Sequence, residues 1–126
     1  MINFSNNKPV VCVQGLGFVG SAMSTAVAMA NNSEGEPIFN VIGIDLNNIT
    51  GIKRVKNINS GCFPFETTDN VLVDSLKRCV LNGNLKATHD EDCYTVADVI
   101  VVDVHLDIPF KDDEPDLNFD GMISAI

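Results

Sequence analysis

Three closely spaced glycines follow a short apolar run near the N-terminus, in the sequence VVCVQGLGFVG at residues 10–20. Gly15 permits a tight turn at the end of a strand, and Gly17 lets the backbone approach a ligand because it has no side chain. Gly20 lets the following helix pack closely against the strand. The N–H groups at the start of such a helix attract phosphates. The spacing therefore predicts a turn for the pyrophosphate of a dinucleotide, provided that a strand precedes it and a helix follows.

Asp45 ends the next apolar run and is the second candidate for chemistry. A carboxylate at the end of this strand can accept hydrogen bonds from both ribose hydroxyls of an adenosine. Asp45 lies farther beyond Gly20 than the usual distance of about 20 residues, and a surface insertion at 31–37 would explain the excess. A carboxylate here repels a 2′-phosphate and favours NAD over NADP, although the nearby bases Lys53 and Arg54 weaken that argument. The alternative is that Asp45 only caps the next helix.

The elements that would position these residues alternate along the chain. Apolar runs and turn residues predict strands at 10–14, 39–46, 85–88 and 98–106. Helices are predicted at 18–30, at 47–61 with a break near Gly51, from Thr68 or Asp69 to about 80, from Asp90 or Glu91 to about 97, and from 117 onward, with a polar loop at 107–116. This alternation implies parallel strands joined by right-handed crossovers. The predicted fold class is α/β, with a doubly wound parallel sheet in three α/β/α layers.

Composition limits the classes of partner. The chain of 126 residues fits one domain, and its formal net charge is −9. Residues 90–126 hold eleven acids against one base, Lys111, so we expect no binding to nucleic acid. No apolar run is long enough to span a bilayer and the N-terminus lacks the layout of a signal peptide, so we expect a cytoplasmic protein without a membrane partner.

The remaining candidate residues favour structural roles. The four cysteines show no metal-ligand spacing and are expected to be reduced thiols, with Cys12 in the core and Cys62 in a loop without a base to activate it. The acids at 112–116 lack the glycine turn of a calcium loop, so no metal site is predicted. His89 is expected to be an exposed loop residue, whereas His105, at the end of the last strand, could line a cofactor.

Several segments together resemble the N-terminal domain of the UDP-glucose/GDP-mannose dehydrogenases. They are VCVQGLGFVG, VIGIDL, RVKNINSGCFPFE, LKATHD, ADVIVVDVHLD and PDL, in that order. The resemblance covers about residues 9–126 and is most specific in NSGCFPFE. It implies a Rossmann-like domain within an enzyme of polysaccharide biosynthesis that oxidises the C6 alcohol of a UDP- or GDP-sugar to the acid with two NAD, the UDP-N-acetylmannosamine type included. The full-length enzyme would be a homodimer that binds a nucleotide-sugar substrate.

The resemblance also implies roles for individual residues. Gly15, Gly17 and Gly20 would hold the pyrophosphate, with backbone contacts from Phe18 and Val19. Asp45 would bind the adenosine ribose beside Lys53 or Arg54. The further residues implied near the cofactor are Thr88, Val104 and His105.

Two departures from the family pattern bear on catalysis. Many members carry a threonine where this chain has Leu106 in Val104-His105-Leu106-Asp107, so no catalytic role carries over to Leu106, and His105 or Asp107 could line the nicotinamide end. The family's nucleophilic cysteine lies far beyond the position that matches residue 126, and Cys62 is in the wrong segment to replace it. We therefore expect residues 1–126 to be a dinucleotide-binding domain from a longer enzyme, inactive alone and with no catalytic residue.

Two other classes share the glycine turn and the ribose acid. A stand-alone regulatory module that senses NAD(H) would not be expected to carry INSGCFPFE, and a methyltransferase seldom has a third glycine spaced like Gly20. The sequence favours the dehydrogenase.

Overall fold

The computed structural model describes residues 2–103, together with the backbone of 110–111 and 114–115. The strands are β1 Val10–Gln14, β2 Asn40–Ile44, β3 Leu85–Thr88 and β4 Val99–Val102, followed by the two-residue strands β5 Phe110–Lys111 and β6 Glu114–Pro115. The helices are α1 Phe18–Ala28, α2 Ile49–Asn59 and α3 Asn70–Asn82, and a short 3₁₀ helix spans Glu91–Val96.

The first four strands form one parallel sheet in the order β3-β2-β1-β4. Apolar strands buried on both faces favour this arrangement, and all five residues of β2 are buried. The α/β fold with a parallel sheet and flanking helices confirms the prediction. The carboxyl ends of the strands lie along one edge, where the glycine turn also lies.

Alternation along the strands divides the core between the two faces of the sheet. On one face, Val11 and Val13 of β1 pack with apolar residues of α1, α2 and α3. On the other face, Cys12 packs with Ile42, Ile44 and Cys93, under partly buried residues of the 3₁₀ helix and the N-terminal segment. The three long helices therefore pack on the same face of the sheet. This packing fixes the position of the N-terminus of α1.

Helix α2 differs from the prediction of a break near Gly51. The helix is continuous, and Gly51 lies in its first turn, where the Asn48 side chain accepts a hydrogen bond from the Gly51 N–H. A Cβ on Gly51 would lie 1.9 Å from the Leu46 carbonyl oxygen. Gly51 thus permits close packing between the start of α2 and the segment after β2. In the sequence alone, the same glycine predicts a break in the helix.

The C-terminal part of the chain corrects two further expectations. β4 spans Val99–Val102, whereas the predicted strand spans 98–106. Among the described residues, Asp98 and Asp103 lie outside the strand. Within the predicted polar loop 107–116, Phe110–Lys111 pairs antiparallel with Glu114–Pro115. The helix predicted from 117 onward lies outside the described residues.

Candidate cofactor site

Two of the three glycines are required by the fold of the turn. Gly15 has a φ of +97°, and a Cβ on it would lie 2.0 Å from the Asp103 carbonyl oxygen. A Cβ on Gly20 would lie 1.9 Å from the Gly15 carbonyl oxygen. The Gly15 N–H donates to the Ile44 carbonyl at 2.8 Å, which joins the turn to β2. Gly15 and Gly20 therefore let α1 begin directly against the ends of the strands.

Gly17 has a different environment, because a Cβ on it would have no atom within 4 Å. Gly17 is the N-cap of α1, which has no side-chain cap and no acidic residue in its first turn. By contrast, the side chains of Asn48, Asp69 and Asp90 cap α2, α3 and the 3₁₀ helix. The first N–H groups of α1 thus lack a side-chain partner beside open space, and this fits an anionic group such as a pyrophosphate.

Asp45 lies directly beside this turn. Its Oδ2 accepts a hydrogen bond from the Leu16 N–H at 3.1 Å, and its Oδ1 accepts one from the Leu46 N–H at 2.7 Å. Arg54 Nη1 lies 3.5 Å from the same Oδ2. The residue that caps α2 is Asn48, so the alternative that Asp45 caps that helix is wrong. One carboxylate therefore joins the glycine turn to the end of β2.

An aromatic cluster, formed by Phe18, Phe63 and Phe65, includes the first residue of α1. The ring centroid of Phe18 lies 5.3 Å from that of Phe63 and 5.8 Å from that of Phe65. The Arg54 guanidinium lies 5.2 Å from the centroid of the Phe65 ring, at a distance typical of a cation–π interaction. Because Arg54 also contacts Asp45, the cluster is connected to the acid at the end of β2.

The structure brings most of the predicted site residues to one edge of the sheet. Thr88 ends β3 opposite Ile44, and its carbonyl accepts a hydrogen bond from the Asp45 N–H at 3.1 Å. Phe18 and Val19 are exposed at the start of α1, and Lys53 is exposed on α2. Among the residues named above from the sequence, those outside the described part of the chain include Val104, His105, Leu106 and Asp107.

A comparison with known protein families identifies this domain. Residues 9–125 match the NAD binding domain of the UDP-glucose/GDP-mannose dehydrogenase family. The chain belongs to this family. It is an NAD-binding domain of oxidoreductases, and NAD is its cofactor. A search of the curated proteins found no match.

Solved structures of nucleotide-sugar dehydrogenases share the fold. An NDP-N-acetyl-D-galactosaminuronic acid dehydrogenase from Methanosarcina mazei Go1 is 25% identical with a TM-score of 0.74, over 93% of this chain and 23% of that one. A UDP-D-ManNAc dehydrogenase from Pyrococcus horikoshii is 25% identical with a TM-score of 0.63, over 92% and 24%. A GDP-mannose dehydrogenase from Pseudomonas aeruginosa, at 24% identity and a TM-score of 0.65 over 90% and 22%, shares the fold. The chain thus spans about a quarter of the length of these enzymes.

Two of the cysteines are buried thiols with raised pKa values. Burial, and then the neighbouring Cys93, raise the pKa of the Cys12 thiol from 9.0 to about 11. Burial also raises the pKa of Cys79, which Arg78 partly offsets. Cys12 lies in the core and Cys62 lies in a loop, as the sequence predicts; Cys62 is exposed, and the four thiols are free. Raised pKa values make Cys12 and Cys79 poor nucleophiles at neutral pH.

Other classes of site find no support in the described residues. Within residues 2–103, no group of three or more histidine, cysteine or acidic side chains could hold a metal ion. In the same part of the chain, each helix is too short or too polar to cross a membrane. His89 is exposed, as its place after β3 predicts.

Sequence reasoning missed Asp103, which is adjacent to the glycine turn. Its N–H donates to the Gln14 carbonyl at 2.8 Å, and its Oδ2 would lie 3.0 Å from a Cβ on Gly20. The sequence pattern places Asp103 inside a strand, whereas β4 ends one residue earlier, at Val102. The sequence did contain a signal for this position, since Asp103 is a polar residue within the apolar run after Asp98. When parallel strands end together, a polar residue that follows the strand lies at the edge of the sheet where ligands bind.

Proposed function

We propose that the pyrophosphate of NAD binds over the first turn of α1, in contact with the backbone from Gly15 to Gly20. The uncapped N–H groups and the open space at Gly17 support this placement. Gly15 and Gly20 act by holding that turn against β1, and Phe18 and Val19 contribute only backbone groups.

Asp45 is the residue proposed for the adenosine ribose, and its hydrogen bond with the Leu16 N–H carries the proposal. Leu16 lies between Gly15 and Gly17, so this bond holds the Asp45 carboxylate against the glycine turn. One cofactor can therefore contact both the turn and Asp45. Arg54 partly offsets the negative charge of Asp45 and orients it, while Thr88 borders the same edge. A carboxylate in this position favours a free 2′-hydroxyl over a 2′-phosphate, so NAD should bind more tightly than NADP.

The longer enzyme that this domain serves is proposed to oxidise the C6 alcohol of a UDP- or GDP-sugar to the acid, with two NAD. The family and the named activities of the structural relatives support this reaction class. NAD supplies the hydride acceptor, and the domain's own residues bind and orient it. Residues 1–126 alone are proposed to bind NAD without turnover, as a dinucleotide-binding domain, and the whole enzyme is proposed to be a cytoplasmic homodimer that binds no nucleic acid.

Titration calorimetry with NAD and NADP tests the proposal directly. The wild-type domain should bind NAD more tightly than NADP, and Asp45→Asn should reduce that preference because the repulsion of a 2′-phosphate is removed. Asp74→Asn, a change at an exposed acid of α3, is the matched control and should leave both affinities unchanged. Absence of NAD binding, or tighter binding of NADP to the wild type, would contradict the assignment.

A further inference from the structure

Asp103 places a carboxylate against the glycine turn from the side of β4. Its carbonyl oxygen would lie 2.0 Å from a Cβ on Gly15, and its Oδ2 would lie 3.0 Å from a Cβ on Gly20. Both the backbone and the side chain of Asp103 therefore contact the residues that begin α1. The side chain lies on the face of the sheet that α1 covers, because Gly20 belongs to the first turn of that helix.

The charge of this carboxylate has no direct partner in residues 2–103. None of these residues donates a hydrogen bond to the Asp103 side chain or forms an ion pair with it. Arg54, a base at this edge of the sheet, instead contacts Asp45 and the Phe65 ring. Within residues 2–103, a favourable electrostatic partner for Asp103 is the positive end of α1, which carries about half an elementary charge.

A negative group in this position competes with a pyrophosphate for the same positive end. Asp45 differs, because both of its oxygens accept hydrogen bonds from the backbone and a guanidinium lies beside it. The Asp103 charge is therefore the less compensated of the two. It stabilises the start of α1 while the cofactor is absent and repels the phosphates when the cofactor binds.

We propose that Asp103 is a determinant of cofactor affinity that weakens NAD binding by repelling the pyrophosphate. This inference rests on the proposed function, since it requires the pyrophosphate to bind at the start of α1. An enzyme that uses two NAD in succession must release one reduced cofactor before it takes the next. A repulsive carboxylate beside the phosphates accelerates that release, because most differences in affinity between related complexes arise in the dissociation rate.

The test measures the affinity of NAD for the wild-type domain and for Asp103→Asn and Asp103→Ala, at low salt and at high salt. Both neutral variants should bind NAD about tenfold more tightly at low salt, and the gain should shrink at high salt. Asp74→Asn is the matched control, since it removes the same charge from an exposed acid of α3, and it should leave the affinity unchanged. The melting temperature of Asp103→Asn without ligand should be slightly lower, because the charge no longer stabilises the start of α1, so stability and NAD affinity should change in opposite directions.

Two simpler ligands locate the effect. The affinity for ADP-ribose, which keeps the pyrophosphate, should rise as that for NAD does, whereas adenosine, which has no phosphate, should bind the neutral variants and the wild type equally. Unchanged or weaker NAD binding by both variants, while the wild type binds NAD, would overturn the role of Asp103 and leave the proposed function intact. Absence of NAD binding by wild type and variants alike would overturn both.

Discussion

Replacing each glycine of the turn by alanine should separate what the fold requires from what the cofactor requires. A Cβ on Gly20 would lie 1.9 Å from the Gly15 carbonyl oxygen, far inside the 3.0 Å that real Cβ atoms keep. The start of α1 would have to move, and overpacking of this kind costs about 3 kcal/mol or more where backbone is the obstacle. Gly20→Ala should therefore lower Tm by about 10 °C in a domain of this size.

Gly17→Ala should behave in the opposite way. Its φ of −65° suits alanine, and a Cβ there would have no atom within 4 Å. Alanine is a poorer N-cap than glycine, so the loss of stability should stay within about 1 kcal/mol. The methyl group would, however, project into the space proposed for the pyrophosphate. The affinity for NAD should fall at least tenfold, which corresponds to about 1.4 kcal/mol.

Thermal melting and titration calorimetry on the wild type, Gly17→Ala and Gly20→Ala separate the effect on stability from the effect on NAD affinity. Melting without ligand should place Gly17→Ala close to the wild type and Gly20→Ala well below it. Calorimetry on the folded Gly17→Ala domain should then show the loss of NAD binding. If Gly17→Ala binds NAD as tightly as the wild type, the pyrophosphate does not bind in the open space at Gly17; if this variant is as unstable as Gly20→Ala, the fold also requires Gly17.

Two further predictions concern stability. The folded domain binds the Cys12 proton more tightly than the unfolded chain does, because burial raises the pKa of this thiol from 9.0 to about 11. The free energy of unfolding should be insensitive to this group below pH 9 and fall by about 2–3 kcal/mol as the pH rises to 11. Denaturant titrations across this pH range should show a shallower fall for Cys12→Ala. An equal dependence of the unfolding free energy on pH in both proteins would contradict this. The Asn59 side chain donates to the Ala87 carbonyl at 2.9 Å and accepts from the Ala87 N–H at 2.8 Å. Asn59→Ala should cost about 1–3 kcal/mol in the same assay, and Asn82→Ala, at an exposed position, should cost much less.

The parts of the fold that the sequence predicts well are those fixed by local patterns. The run of residues 10–14 and the glycines after it specify where β1 ends and α1 begins, because an apolar strand and a tight turn have direct residue signatures. The structure likewise selects Asp69 over Thr68 as the N-cap of α3, and Asp90 over Glu91 as the N-cap of the 3₁₀ helix. These signals act within a few residues, so one sequence suffices to read them.

The parts that the sequence does not predict depend on contacts between distant segments. Gly51 reads as a helix breaker, and only the approach of the Leu46 carbonyl explains why a helix tolerates it there. Asp103 reads as part of a strand, and its place beside Gly15 depends on β1 and β4 ending together. The contacts of Phe18 with Phe63 and Phe65 cannot be predicted from a local sequence pattern, because Phe18 is far from the other two residues along the chain.

The segment that distinguishes this family in the sequence, residues 59–66, lies outside the glycine turn and supports it. Asn59 pairs both backbone groups of Ala87 on the edge strand β3, which attaches the start of the segment to the sheet. Phe63 and Phe65 then contact Phe18 in the first turn of α1. Because Phe65 also contacts Arg54, and Arg54 contacts Asp45, the same segment is connected to the acid at the end of β2. These contacts give the segment a role in holding the turn and the acid in place that needs no contact with a substrate.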